Sequence, residues 1–194
     1  RARVVCVCRE DPRDASLAPH TVVVGPMPPA DLRALLDEVE PGLSDAEAAG
    51  IVAHAKGSPW RLRQLSMGGA VDEQGPEKSL LMLAPIAMGV LRTLALVAAS
   101  VPLDVLARAT RMPTADALEA LARRGYVEMS ARGVRLHPSA RPLVDALFDA
   151  DDRAARAHKL VQAVVDAGNA ELAASVVPLL RACPPALVRA LFDK

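Results

Sequence analysis

The sequence predicts a mainly α-helical protein that opens on the last strands of a buried α/β sheet. Three observations carry this. Apolar residues fill 52% of the 194 positions but aromatics only 2%, so the core must be built from Ala, Leu and Val, which points to helix. Short β-type apolar runs stand near the start, at 4–8 and 21–24. From residue 28 onward the apolar residues recur at helical spacing, interrupted by one hairpin pattern.

Composition also excludes functions. The 23 basic and 23 acidic side chains cancel, leaving no global field to draw the chain to nucleic acid or anionic lipid. Trp60, Tyr126, Phe148 and Phe192 are too few for a stacking platform on single-stranded nucleic acid.

Val4-Val5-Cys6-Val7-Cys8 is a short apolar run bounded by charge, as in a strand covered on both faces. Pro12 and Pro19 mark a loop, and Thr21-Val22-Val23-Val24 repeats the strand signal before Gly25-Pro26. Two strands are not a sheet, and the chain opens Arg1-Ala2-Arg3 without a methionine, so a piece of a longer protein is expected. The pattern there is not a signal peptide. Cys6, Cys8 and Cys183 form no disulfide framework and have no close metal-ligand partners, which fits small buried residues in a reducing cytoplasm.

A helical bundle is predicted over 28–69. Pro28-Pro29 starts one helix with Leu32, Leu35, Leu36 and Val39 on a face, and Pro41-Gly42 ends it. Ser44-Asp45-Ala46-Glu47 matches a capping box for a second helix carrying Ala48, Ile51, Val52 and Ala55. Gly57-Ser58-Pro59 leads into a third, Trp60 to Met67. Residues 70–78, with Gly75-Pro76, read as a linker.

The apolar stretch 80–99 is read as a buried core helix. Arg92 inside it would cost about 2.5–3.5 kcal/mol at mid-bilayer, and the unbroken run falls short of the roughly 20 residues that span one. Over 79–148 we expect helices at about 86–99 and from Pro102, then a third N-capped by Thr114 with Ala117, Leu118, Leu121 and Ala122 on its face, ending at Gly125. Tyr126–Met129 and Val134–His137 follow as strands joined through Ala131-Arg132-Gly133. Three helices and a hairpin in that order predict a winged helix. Beyond Pro138 the pattern is helical, at 139–148, 151–167, 170–182 and 185–193. Residues 149–194 thus form two helical hairpins suited to the start of a TPR-like solenoid, although two hairpins establish no repeat period.

The sequence carries no GxxxxGK[ST], HExxH or GxSxG motif and no Cys/His cluster; its histidines, His20, His54, His137 and His158, are scattered. Three local features remain. Arg9 follows the first strand, where a guanidinium can meet a phosphate. Gly57-Ser58-Pro59-Trp60-Arg61-Leu62 joins two helices, an ordinary connection that also offers a flat proline to a purine and helix-start amides to a phosphate. His137 ends the second hairpin strand, where an imidazole can donate to an anion.

In this order the features resemble the C-terminal half of a STAND-class nucleotide switch, relatives of AAA+ ATPases that include NB-ARC proteins and MalT-like regulators. Val4 to Arg9 resembles the sensor-1 strand with its arginine, Val22 to Met27 with Asp31 to Leu36 the entry to the lid, Gly57-Ser58-Pro59-Trp60-Arg61-Leu62 the GxP motif, and Leu136-His137-Pro138 with Arg141 the histidine motif after the winged helix. Arg61 departs from the small residue usual in the GxP helix, and Pro138 replaces the acidic residue of the NB-ARC form. The resemblance implies that Arg9 senses the γ-phosphate, that Pro59 lines the adenine, that Gly57 belongs to the same nucleotide-binding set, and that His137 contacts the ADP phosphates. It further implies ATP/ADP with Mg as cofactors, Walker segments upstream that this piece lacks, a downstream helical sensor with its inducer, self-association on activation, and an output in transcription or signalling. The parent would be a slow ATPase switch, and this piece alone no enzyme. High Ala and Arg with little Lys fits a GC-rich bacterial source. The alternative is a DNA-binding winged helix, in which Thr114-Ala115-Asp116-Ala117-Leu118-Glu119 would enter the major groove. Asp116 and Glu119 there would face a polyanion.

Overall fold

The computed structural model describes residues 25–68, 80–112 and 114–192. Arg9, Cys6, Cys8, His20, both strand runs and the linker at 70–78 lie outside the described residues. What is described is mainly helical, with one two-stranded antiparallel sheet.

The first unit is a helical trio: α1 (Pro29–Val39), α2 (Asp45–Ala55) and α3 (Pro59–Gly68). Pro29 sits in the first turn of α1, where its missing N–H costs nothing. The capping box of α2 forms as expected: Glu47 N donates to Ser44 Oγ (3.3 Å) and Ser44 N donates to the Glu47 carboxylate (3.0 Å). The Ser44 hydroxyl also donates to that carboxylate (2.6 Å), and this bond with the one from Ser44 N holds the Glu47 carboxyl below its usual range. Lys56 and Gly57 turn the chain at positive φ, and the Gly57 carbonyl accepts from Met27 N (2.9 Å). A side chain on Gly57 would collide with Pro26, so the glycine serves a close backbone approach. Leu32, Leu36, Ala48, Ile51, Ala55, Leu62 and Leu65 form the buried core of this trio.

A second, larger core belongs to residues 80–192. It is built by α4 (Pro85–Leu94), α5 (Leu103–Thr110), α6 (Ala115–Arg123), β1 (Val127–Ser130), β2 (Gly133–Leu136), α7 (Arg141–Ala146), α8 (Ala150–Ala167), α9 (Ala170–Val176), a 3-10 turn at Val177–Ala182, and α10 (Pro185–Phe192). The hairpin pairs Val127 with Leu136 and Ser130 with Gly133. Val101 adds one bridge to Val134, its N donating to Val134 O (2.7 Å) and its O accepting from Val134 N (2.9 Å). Gly133, at φ +124°, lets the Val101 carbonyl approach where any Cβ would sit.

Several expectations need correction. The helix expected to reach residue 99 stops at Leu94, despite good helix formers beyond it. Arg141 is the reason: its guanidinium donates to the carbonyls of Ala95 and Val97, which a continuing helix would have used internally. Thr114 precedes α6 but makes no side-chain cap; its hydroxyl-bearing side chain is buried instead. The helix expected at 170–182 changes to 3-10 at Val177, since Pro178 cannot donate to the α ladder.

The helices after residue 149 share a core with the hairpin unit. α5 and α8 lie against each other, and Leu160, Val161 and Val164 are buried in the same core as Val105, Leu106 and Tyr126. Arg92, the charge that interrupts the apolar stretch, bonds Asp152 of α8 (3.0 Å) and the Leu147 carbonyl (2.9 Å). Arg156 closes the cluster on the other Asp152 oxygen (2.8 Å). Among the described residues no helix is long and apolar enough to cross a membrane.

Candidate functional site

The site is built at the end of α6. The chain leaves that helix through a Schellman turn: Gly125 N donates to Ala122 O and Tyr126 N to Leu121 O, both at 2.9 Å, with Gly125 at φ +70°. This arrangement satisfies inner carbonyls and leaves those of Arg124 and Gly125 pointing outward. Two side chains of α3 take them. Trp60 Nε1 donates to Gly125 O (2.8 Å), and Gln64 Nε2 donates to Arg124 O. Gln64 is 5% exposed, so its amide is committed to this contact.

The indole does more than donate. Its ring stacks on the His137 imidazole, with centroids 5.7 Å apart and planes 14° from parallel, and meets the buried Tyr126 ring edge-on at 6.1 Å. His137 Nδ1 accepts from Ser139 N (3.2 Å), which in the neutral ring assigns the proton to Nε2. Nε2 in turn lies 3.8 Å from a Glu128 oxygen. Glu128 is itself paired with Arg135 across the hairpin, at 2.6 Å from Nε.

Between the trio and the hairpin unit lies a cleft of about 340 Å³, within the roughly 300–1,000 Å³ of small-molecule sites. Leu35 and Val39 of α1, Pro59, Trp60 and Arg63 of α3, and Glu128 and His137 of the hairpin face it. The apolar stripe of α1 is thus split between two tasks: Leu32 and Leu36 are buried, while Val39 is 43% exposed at the cleft.

Of the four residues singled out from sequence, Pro59 and His137 share this cleft. Gly57 does not line it; it packs on Pro26. Arg9 is outside the described residues. Arg141, grouped with His137 by resemblance, is spent on the Ala95 and Val97 carbonyls. Sequence reasoning missed Trp60, Gln64, Arg63 and Glu128. The single tryptophan of the chain, placed directly after Pro59, was the available signal for the first. His54 bonds the Gly50 carbonyl of its own helix (2.8 Å), and His158 is exposed on α8. Among the described residues no group of His, Cys, Asp or Glu is placed to hold a metal ion. Comparison with family models, curated proteins and solved structures gives no match for this chain.

Proposed function

We propose that this chain is the regulatory part of an ATP/ADP switch of the STAND class, a helical lid and a winged helix that close over a nucleotide and pass its state to the helices after residue 149. The observation that carries the reading is one cleft that holds Pro59 on one wall and His137 on the other, from segments more than seventy residues apart. In this reading the trio is the lid, and α4–α6 with the hairpin is the winged helix.

The lining suits a nucleotide in part. Leu35, Val39, Pro59 and Trp60 offer an apolar wall for a base, and Arg63 with His137 offers donors for a phosphate. Ser139 N keeps the imidazole proton on Nε2, the nitrogen that faces Glu128 and the cleft. Glu128 opposes an anion, but Arg135, paired with it across the hairpin, offsets that charge. Pro59 and Trp60 would exclude water from the base, and His137 would hold a phosphate oxygen. A P-loop segment preceding residue 1 would bind Mg and supply the hydrolytic chemistry. An inducer acting on the C-terminal helices would reach the cleft through the core shared by α5 and α8. Activation would then release the lid and expose surfaces for self-association.

The test separates the two roles of His137 in the full-length parent. His137→Phe keeps a flat ring against Trp60 and removes the donor. ADP affinity should fall roughly 10- to 100-fold, the value of one charge-assisted hydrogen bond. Calorimetric titration with ADP that gives equal affinity for both proteins would defeat the proposal. DNA binding is the weaker reading, because the exposed face of α6 starts on Asp116 and carries Glu119.

A further inference from the structure

We infer that Trp60 and Gln64 form a latch that holds the helical trio on the hairpin unit and releases it without unfolding either. The two units have separate buried cores, one of Leu32 to Leu65 and one of Leu80 to Leu187. Each is therefore able to keep its packing when the other moves. Among the described residues no helix of the trio packs broadly against an element of the hairpin unit, and the cleft opens the junction further. Small interfaces of this kind leave relative motion as the default.

What fastens the junction is specific. Helix α3 turns Leu62 and Leu65 into its own core while sending Trp60 and Gln64 the other way, a split along its length. Trp60 packs against the larger core although it belongs to the trio. Both side chains donate to carbonyls that the Schellman turn of α6 leaves over, so the trio completes the hydrogen bonding at the end of a helix in the other unit. Breaking these bonds hands the two carbonyls and the two donors to water, an exchange with a small net free energy. A contact made of few, exchangeable hydrogen bonds and one ring stack opens more readily than either core. On opening, the indole leaves His137, and the cleft loses one wall.

This inference rests on the contacts and needs no nucleotide; only its bearing on ADP retention rests on the reading above. The test is hydrogen exchange of the full chain by NMR without nucleotide. The chain has one tryptophan, so the Trp60 indole N–H gives a single resonance whose exchange reports the opening ratio directly. In the wild type that N–H should exchange faster than the slowest amides within α2 and within α6. Gln64→Ala should speed it a further 3- to 10-fold, the worth of one neutral hydrogen bond, while those amides keep their rates. Three results would overturn the latch. The wild-type indole exchanges no faster than both sets of amides, Gln64→Ala leaves it unchanged, or Gln64→Ala accelerates indole and core amides together or abolishes folding. The last would mean that the junction opens only with the whole molecule. Nucleotide binding is judged by its own titration, so the two claims fail separately.

Discussion

Asp152→Asn tests how firmly the C-terminal helices are tied to α4. Asp152 accepts from Arg92 Nη1 at 3.0 Å and pairs with Arg156 Nε at 2.8 Å, and all three side chains are about a quarter exposed (26%, 26% and 24%). Asparagine keeps the shape and one acceptor oxygen but turns an amide donor toward a guanidinium, so one charge-assisted bond is lost and two donors oppose each other. A buried charge-assisted bond is worth about 1.5–3 kcal/mol, and water reaching the partly open site takes some of that back. We expect a net loss of about 2 kcal/mol, or a fall in Tm of roughly 4–8 °C for a chain of this size. The pH dependence gives a second handle. Burial acts to raise the Asp152 carboxyl, but the hydrogen bonds and charges of Arg156 and Arg92 together outweigh it and hold it below its ordinary value. A lowered folded-state value means that the stabilisation is full above the unfolded value of about 3.9 and is lost as the pH falls through the folded one. Urea denaturation at a series of pH values should therefore show wild type and variant separated at neutrality and converging in acid. Equal stability at neutrality, or a gap that does not close in acid, would refute the argument.

Three further substitutions probe the packing. Gly133→Ala places a Cβ against the Val101 carbonyl at a φ of +124°, and should lower stability by about 2–4 kcal/mol in denaturant titration while Gly42→Ala, with nothing near its Cβ, costs less. Leu106→Ala opens a hole in the fully buried core between α5 and the neighbouring helices, and should cost about 2–5 kcal/mol. Amide exchange should then quicken throughout 80–192, including α8, and leave α2 at its wild-type rate.

Much of the local structure could be read from the chain because its signals are local. The capping box Ser44/Glu47, the prolines opening α1 and α3, the glycine ending α6 and the Gly168-Asn169 joint all act within a few residues of themselves. Asn169 Oδ1 indeed accepts from Leu172 N at 2.9 Å. The errors differ in origin: Pro178 is a local signal that turns the end of 170–182 to 3-10, whereas at the end of α4 a distant group overrode propensity. The run after Leu94 is good helix sequence, and only Arg141, some 45 residues on, takes its carbonyls away.

The site divides the same way. Pro59 and His137 could be named from the punctuation around them, since a helix start and a strand end are visible in the residues themselves. Their shared cleft could not, nor could the partners Trp60 and Gln64, which take a pair of leftover carbonyls at the end of a helix sixty or more residues away, nor Glu128, which meets His137 only in the folded hairpin. Sequence alone determined where most helices start and where the hairpin turns, because the hydrogen bonds that decide those points span only a few residues. Tertiary structure decided that the trio keeps its own core and that the helices after 149 join the hairpin unit. Side-chain burial depends on which faces meet, and no periodicity within one helix names the helix that will cover it.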